Sequence, residues 1–172
     1  MLFRDLSFAI PAGGAVLVSG PNGVGKSTLV RIAAGLLPPA AGTVTRPDRC
    51  ALLADAAAMD GERTLAEALG FWAGLDGGRS RVAAAMADMG IDPIADVPVR
   101  MLSTGQRRRG GIARVIAADA ALWLLDESAN GLDTGSLALL ESAIARYRDG
   151  GGAVLIASHV PVALPDAVQV RL

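Results

Sequence analysis

The chain has 172 residues, which is enough for one domain with a hydrophobic core. Its 16 Lys and Arg residues nearly balance 17 Asp and Glu residues, so its charge gives no reason to expect binding to nucleic acid or to an anionic membrane. A single cysteine excludes an internal disulfide framework and fits a reducing compartment. Although 52% of the residues are hydrophobic, no apolar run reaches the ~20 residues that a membrane span needs.

Short apolar runs bounded by Gly, Pro or Asp predict buried strands, and the stretches between them predict helices. In chain order, the predicted strands cover residues 15–19, 51–54, 121–125, 153–157 and, with the alternation of a half-exposed edge strand, 167–172. The predicted helices cover residues 26–36, 65–73, 79–89, 106–118 and 135–148, and the glycines at 150–152 are expected to end the last one. Strands that alternate with helices indicate a mostly parallel α/β sheet.

The stretch from residue 64 to residue 101 contains no convincing strand and is rich in Ala, Gly and Met. We therefore expect a single domain over residues 1–172. Residues 1–63 and 102–172 would form its sheet-containing core, and residues 64–101 would form a small inserted helical subdomain.

Residues 20–27 match the phosphate-binding pattern G-x-x-x-x-G-K-[ST] and lie between a predicted strand and a predicted helix. The matching residues are Gly20, Pro21, Asn22, Gly23, Val24, Gly25, Lys26 and Ser27. The backbone N–H groups of this loop and the N-terminus of the next helix would surround the phosphates of ATP. Lys26, the only lysine of the chain, would reach the β- and γ-phosphates, Ser27 would bind Mg²⁺, and Thr28 would contact the α-phosphate. The alternative is a glycine-rich turn that Lys-Ser follows by chance.

An apolar run at residues 122–125 ends in two carboxylates, Asp126 and Glu127. Because successive side chains of a strand point in different directions, the two acids can take different roles. Beside a phosphate-binding loop, we expect Asp126 to hold Mg²⁺ and Glu127 to polarise the attacking water. The alternative is a strand end marked by solvated charges.

Residues 102–107 read Leu-Ser-Thr-Gly-Gln-Arg and precede a predicted helix. In isolation they would be a serine N-cap with glutamine three positions later, which is a capping box. In this context the sequence resembles the ABC ATPase family of P-loop NTPases, whose signature is LSxGQ. The resemblance implies that Ser103, Gly105 and Gln106 bind ATP held by a second ABC ATPase subunit, so that a homodimer encloses two ATP molecules.

The resemblance extends to two further segments. Residues 128–133 match the D-loop of the family, with Asp133 as its acid. His159, the only histidine, follows a predicted strand and matches the switch histidine that contacts the γ-phosphate and positions water. The resemblance thus implies Lys26, Glu127 and His159 as catalytic residues, with ATP and Mg²⁺ as ligands.

Three arginines, Arg107 to Arg109, follow the signature. Three charges without interleaved aromatic residues make a weak nucleic-acid patch, so we expect a solvated or ion-pairing helix face and no nucleic-acid partner.

Finer features are similar to the branch of the family that provides the ATP-binding subunits of haem exporters in bacterial cytochrome c maturation. These features lie at residues 34–42, 71–73, 106–109, 122–127 and 150–159. The resemblance implies an ATP-hydrolysing motor subunit, peripheral to the cytoplasmic face of the bacterial inner membrane, that docks on integral membrane permease subunits. The alternatives are a soluble ABC ATPase outside transport, such as one in iron–sulfur assembly, and a degenerate ATP-binding module with slow turnover.

Four positions depart from the family pattern. Asp55 aligns with a loop residue that is normally Gln or, in the haem-exporter branch, His, and Ser128 replaces Pro. Gly110 and Gly111 replace better helix formers, at a cost of roughly 1 kcal/mol each relative to Ala.

The N-terminal region also differs from the family. Relatives carry further residues before the equivalent of Leu2, including an aromatic residue that stacks on adenine. We therefore expect the N-terminal strand region to be truncated here, and we expect Phe3 and Phe8 to belong to the core.

Overall fold

A five-stranded sheet forms the centre of the fold in the computed structural model, which describes residues 2–54 and 59–172. Its strands are β1 Ala15–Ser19, β2 Cys50–Leu53, β3 Leu122–Asp126, β4 Ala153–Ala157 and β5 Val168–Arg171. Their order across the sheet is β2-β3-β4-β1-β5, and every neighbouring pair is parallel. The predicted parallel α/β fold is confirmed, and β5 lies at an edge, as its alternating sequence predicts.

The helices lie between the strands. They are α1 Lys26–Ala33, α2 Leu65–Leu75, α3 Val82–Asp88, α4 Thr104–Ala117 and α5 Thr134–Asp149. Short 3₁₀ helices lie at Arg79–Arg81, Asp92–Ile94 and Val99–Met101, so the helix predicted over residues 79–89 is a 3₁₀ turn followed by a shorter α-helix. Gly150 is the C-cap of α5, which confirms the predicted glycine stop. In the part of the chain that the structure describes, no helix combines the length and the hydropathy needed to cross a bilayer.

Helix α1 ends at Ala33, before the predicted end at Leu36. Gly35 has a left-handed φ of 74°, a conformation that residues with a β-carbon rarely adopt. Its N–H donates to the Ile32 carbonyl at 2.9 Å, and the Leu36 N–H donates to the Arg31 carbonyl at 2.9 Å. These two bonds form a Schellman motif, which ends the helix although the apolar pattern continues.

Both faces of the sheet are covered, as a parallel sheet requires. On one face, α1 and the N-terminal segment pack against sheet residues such as Val16 and Leu124. Phe3 and Phe8 are partly buried in this cluster, which confirms the prediction that they belong to the core. On the opposite face, residues of α2 to α5 share a larger cluster with sheet residues such as Ile156.

Residues 64–101 contribute no strand to the sheet; the structure shows one isolated antiparallel bridge there, between Thr64 and Pro98. Leu65 of α2 and Met86 of α3 belong to the same hydrophobic cluster as the sheet. The division into a core and a helical subdomain therefore remains a proposal. The helical content of the segment supports it, while the shared cluster ties the segment to the sheet.

Gly110 and Gly111 are buried inside α4. A β-carbon on Gly110 would lie 3.1 Å from Leu65 Cδ1 and 3.3 Å from Met59 Cε. The low helix propensity at Gly110 thus accompanies a close approach of α4 to α2, which a larger residue would obstruct.

Candidate functional site

The carboxyl ends of β1, β3 and β4 meet at one edge of the sheet, because β4 lies between β1 and β3. The phosphate-binding loop, residues 20–27, follows β1, while Asp126 ends β3 and His159 comes shortly after β4. In open parallel sheets, ligands bind beyond the carboxyl ends of the strands. The topology therefore brings the predicted loop, the acidic pair and the histidine to the edge where a ligand is expected.

Three glycines shape the backbone of the phosphate-binding loop. Gly20, Gly23 and Gly25 have φ angles of 147°, 82° and 116°, which side chains with a β-carbon rarely tolerate. A β-carbon on Gly25 would also lie 3.2 Å from the Phe3 ring. Gly25 is the N-cap of α1 and supplies no side-chain acceptor, so the first N–H groups of this helix can donate to an anion.

Lys26 is only 5% exposed, and its ammonium group lies inside the loop. Its Nζ donates to the carbonyl oxygens of Gly20 at 3.0 Å and Pro21 at 3.2 Å, and it lies 3.4 Å from Glu127 Oε1. A buried ammonium group requires such partners. An incoming phosphate oxygen would offer this cation an anionic partner at the same place.

Asp126 connects the end of β3 to the first turn of α1. The Ser27 hydroxyl donates to Asp126 Oδ1 at 3.0 Å, and Asp126 is 5% exposed. Carboxylate and hydroxyl oxygens are the donors that Mg²⁺ prefers, and Mg²⁺ usually completes its octahedral shell with phosphate oxygens and water. The pair therefore fits the predicted Mg²⁺ role. Among the described residues there is no group of three or more His, Cys, Asp or Glu side chains that could form a fuller protein cage.

Glu127 adopts a left-handed backbone with φ 51° directly after β3. For a residue with a β-carbon this conformation costs about 1–2 kcal/mol. Its N–H donates to the Ala157 carbonyl at 2.8 Å, and its Oε2 lies 2.8 Å from His159 Nδ1. The direction of this carboxylate is therefore set by the left-handed turn, which strand alternation does not predict.

The environment of Glu127 keeps its carboxylate ionised. Burial raises the pKa of Glu127, but hydrogen bonds and charge from His159 and a hydrogen bond from Lys26 outweigh burial, so the pKa lies below its ordinary value. An ionised carboxylate is the form that a general base needs.

His159 lies inside a tight turn that Ser158 holds in place. The buried Ser158 hydroxyl donates to the Val160 carbonyl at 2.7 Å and accepts from the Val160 N–H at 3.0 Å. The His159 side chain itself is 46% exposed. The ring is therefore fixed at its base yet open to a ligand or a partner on its outer side.

The signature residues form a local cap. Ser103 Oγ accepts from the Gln106 N–H at 3.2 Å, and Gln106 Oε1 accepts from the Ser103 N–H at 2.9 Å. The capping box is thus present at the start of α4. It does not conflict with a second role, because Ser103 is exposed and the helix N-terminus favours anions.

Asp133 is the N-cap of α5. Its Oδ1 accepts from the Ser136 N–H at 2.7 Å, and this hydrogen bond lowers the pKa of Asp133. A direct role of Asp133 toward ATP remains a proposal.

The other predicted ATP contacts lie in the phosphate-binding loop or directly after it. They are Pro21, Asn22, Val24 and Thr28.

Known proteins that resemble this chain decide its family. The sequence profile of the ABC transporter family matches residues 3–130. The chain belongs to the ABC transporter family. Membership confirms the predicted enzyme class, an ATPase whose reaction drives transport.

Individual ABC proteins resemble nearly the whole chain. The cytochrome c biogenesis ATP-binding export protein CcmA of Sphingopyxis alaskensis is 55% identical over 168 residues, which cover 96% of this chain and 86% of that protein. The protein of the same name from Zymomonas mobilis is 48% identical over 166 residues, which cover 96% of this chain and 75% of that protein. The solved structure of a putative ABC transporter ATP-binding protein from Pyrococcus furiosus matches with a TM-score of 0.85 at 22% identity, covering 97% of this chain and 88% of that one. This structure confirms the predicted ABC ATPase fold.

The three arginines that follow the ABC signature make backbone contacts that the sequence did not predict. Each donates to backbone carbonyls of another segment. Arg107 donates to Val99, Arg108 to Glu127 and Asn130, and Arg109 to Met89 and Gly90. These acceptors lie 8 to 22 positions away from the arginines along the chain. No local signal in the sequence marks them.

Two departures from the ABC pattern have different outcomes. Asp55 lies outside the described residues. Ser128 is fully buried, and its hydroxyl has no hydrogen-bond partner among the described residues. Nothing in the structure explains why serine replaces proline there.

Proposed function

We propose that this chain is the ATP-hydrolysing motor subunit of an exporter that serves cytochrome c biogenesis, with haem as the cargo that the sequence resemblance suggests. The observation that carries the proposal is the contact of one ionised carboxylate, Glu127, with both Lys26 and His159. This contact occurs in a chain that is 55% identical to a cytochrome c biogenesis ATP-binding export protein.

The phosphate-binding loop would hold the triphosphate. The N–H groups at the start of α1 would donate to phosphate oxygens, and Lys26 would exchange its carbonyl partners for phosphate oxygens. Because the Lys26 ammonium group also contacts Glu127, this exchange would free the carboxylate to bind water.

Glu127 is proposed as the general base. Water would attack the γ-phosphorus, its proton would pass to a Glu127 carboxylate oxygen, and the bond to the β–γ bridging oxygen would break with release of ADP and phosphate. His159 would position the water and contact the γ-phosphate, since its ring already lies 2.8 Å from Glu127.

Mg²⁺ would be held by Ser27 and Asp126, the oxygen pair between α1 and β3. When bound, it would supply charge neutralisation on the phosphates. The surrounding residues keep this pair in place, because Asp126 is buried and Ser27 belongs to the first turn of α1.

A second copy of the chain is the proposed partner across ATP. The turn at the start of α4, with the exposed Ser103 and the half-buried Gly105 and Gln106, would close over the ATP of the other subunit, and Asp133 would lie near it. ABC membership implies dimerisation and a membrane permease partner. We propose that integral permease subunits hold the chain at the cytoplasmic face of the bacterial inner membrane.

Two alternatives follow from the sequence. An ABC ATPase outside transport, such as one in iron–sulfur assembly, is not favoured, because relatives that are 48% to 55% identical are named as export proteins. A degenerate module with slow turnover would differ from a working motor in its rate of ATP hydrolysis.

Complementation tests the proposal. The chain would be expressed in a bacterium that lacks its own cytochrome c biogenesis ATP-binding export protein, and covalently bound haem in c-type cytochromes would be measured. We expect the wild type and the Glu141→Gln control to restore these cytochromes, and Glu127→Gln to fail at equal protein levels. Restoration by Glu127→Gln, or failure of the wild type beside a functional relative, would contradict the proposal.

A further inference from the structure

We propose that Arg108 is a positioning residue for ATP hydrolysis, which holds the backbone turn that aims Glu127 and links that turn to the signature helix α4. The inference rests on the proposed ATPase function and adds a residue to which neither the family signature nor the similarity to export proteins gives a role.

Arg108 binds two carbonyl groups of one turn. Its Nη2 donates to the Glu127 carbonyl at 3.1 Å, and its Nε donates to the Asn130 carbonyl at 3.4 Å. The Asn130 N–H also donates to the Glu127 carbonyl at 3.1 Å. The planar guanidinium group is suited to this arrangement, because its N–H groups have a fixed geometry. The turn from residue 127 to residue 130 is therefore closed both by its own backbone and by Arg108.

Glu127 needs such support because its backbone is left-handed, with φ 51°. Its N–H is fixed by the Ala157 carbonyl at 2.8 Å, and its carbonyl is fixed by Arg108. The peptide groups on both sides of a residue determine the direction of its Cα–Cβ bond. With both peptide groups fixed, the carboxylate of Glu127 is directed at His159 and Lys26.

Arg108 also belongs to the helix that begins with the signature. Helix α4 starts after its N-cap, Ser103, and Arg108 lies in its second turn, half-buried. One rigid helix thus joins the turn proposed to bind the partner's ATP with the turn that aims the general base. A displacement of α4 would be transmitted through Arg108 to the Glu127 carbonyl.

Arg109 is a matched control on the same helix. It is half-buried like Arg108 and also donates to two carbonyls, those of Met89 and Gly90 at 3.1 Å each. These acceptors follow α3 and are not part of the turn that carries Glu127. Loss of Arg109 would remove similar packing and hydrogen bonds without releasing the general base.

The test compares steady-state ATP hydrolysis by the purified full chain with that of Arg108→Gln, Arg108→Lys and Arg109→Gln. For Arg108→Gln we expect kcat to fall by about tenfold to a hundredfold, while KM for ATP stays within about twofold. Arg109→Gln should keep kcat within about twofold of the wild-type value, although its melting temperature should be similar to that of Arg108→Gln. Arg108→Lys should recover part of kcat, because an ammonium group can reach one of the two carbonyls.

A double variant tests whether Arg108 acts through Glu127. In the Glu127→Gln background, Arg108→Gln should reduce the residual rate no further, since coupled residues are not additive. An unchanged kcat for Arg108→Gln, or an equal loss for Arg109→Gln, would overturn the inference while the ATPase function stands. If the wild type itself does not hydrolyse ATP, the proposed function fails, and this inference fails with it.

Discussion

Ser27 and Asp126 are 99 positions apart in the chain, and a hydrogen bond of 3.0 Å joins their side chains. Ser27 belongs to the first turn of α1, and Asp126 ends β3. The strand order explains the contact, because β1 and β3 flank β4 and end at the same edge of the sheet. The two motifs that carry the proposed chemistry are therefore in direct contact.

Replacing Glu127 with Gln should separate ATP binding from ATP hydrolysis. The amide keeps the size of the side chain but cannot accept the proton of water, so we expect the hydrolysis rate to fall by about 100-fold or more while ATP binding persists. Glu141→Gln is the control, because its side-chain oxygen can still accept from the Ala163 N–H. Rate measurements with a coupled phosphate assay decide the outcome. A Glu127→Gln rate close to that of the wild type would contradict the role of Glu127.

The chain has two capping boxes, and a comparison of the two can separate the helix-capping role of Ser103 from its proposed contact with ATP. Thr64 caps α2 and Ser103 caps α4, each with a reciprocal bond to an acidic or amide side chain. Replacing either residue with Ala should cost about 0.5–2 kcal/mol of unfolding free energy. Only Ser103→Ala should also weaken ATP-dependent dimerisation, which size-exclusion chromatography of the Glu127→Gln protein can measure. Equal dimerisation by both variants would show that Ser103 acts only as a helix cap.

Gly152 makes room for an aromatic ring. A β-carbon there would lie 2.3 Å from Tyr147 Cζ, and the ring cannot retreat easily because it stacks on Trp123 at 3.8 Å. Gly152→Ala should therefore lower the unfolding free energy by about 1–3 kcal/mol. In Gly150→Ala the new β-carbon meets its nearest atom at 3.4 Å, so this variant should be neutral or stabilised by up to about 1 kcal/mol. Urea denaturation of both variants measures the two changes in unfolding free energy. Equal losses of unfolding free energy would contradict the prediction.

Tyr147 is the only tyrosine, so its titration can be followed without interference from another tyrosine. Its hydroxyl donates to the Ala120 carbonyl at 2.9 Å, and burial raises its pKa from 10.0 to about 12. Because the folded pKa is raised, the associated stability is fully present below pH 10.0 and is lost as the pH rises toward about 12. Ultraviolet absorbance of tyrosinate should show a midpoint near 12 in the native protein and near 10 after denaturation. Tyr147→Phe should abolish the absorbance change of tyrosinate formation. A midpoint near 10 in the native protein would contradict the raised pKa of Tyr147.

The sequence predicted the sheet and the cluster around the phosphate-binding loop because both depend on local patterns. Apolar runs identified the five strands, and glycines with a following Lys-Ser identified the loop. Helix ends were predicted less well. Helix α4 begins at Thr104, earlier than the pattern suggested, because Ser103 and Gln106 form a capping box. Helix α1 ends early, at Ala33, because Gly35 closes a Schellman motif.

The role of Arg108 could not be predicted from the sequence. Its acceptors are backbone carbonyls, which carry no residue identity, and they are 19 and 22 positions away along the chain. The left-handed backbone of Glu127 could not be predicted either, since glutamate has no preference for that conformation. Tertiary contacts impose both features.

The account depends most directly on Lys26 binding the phosphates of ATP. The decisive measurement is ATP binding and hydrolysis by the purified wild type and by Lys26→Ala, with the folded state of both verified by circular dichroism. We expect the wild type to bind and hydrolyse ATP, and Lys26→Ala to lose hydrolysis by about 100-fold or more because a preorganised cation is removed from the phosphates. If Lys26→Ala binds and hydrolyses ATP as well as the wild type, the assignment of this loop as the nucleotide site is wrong.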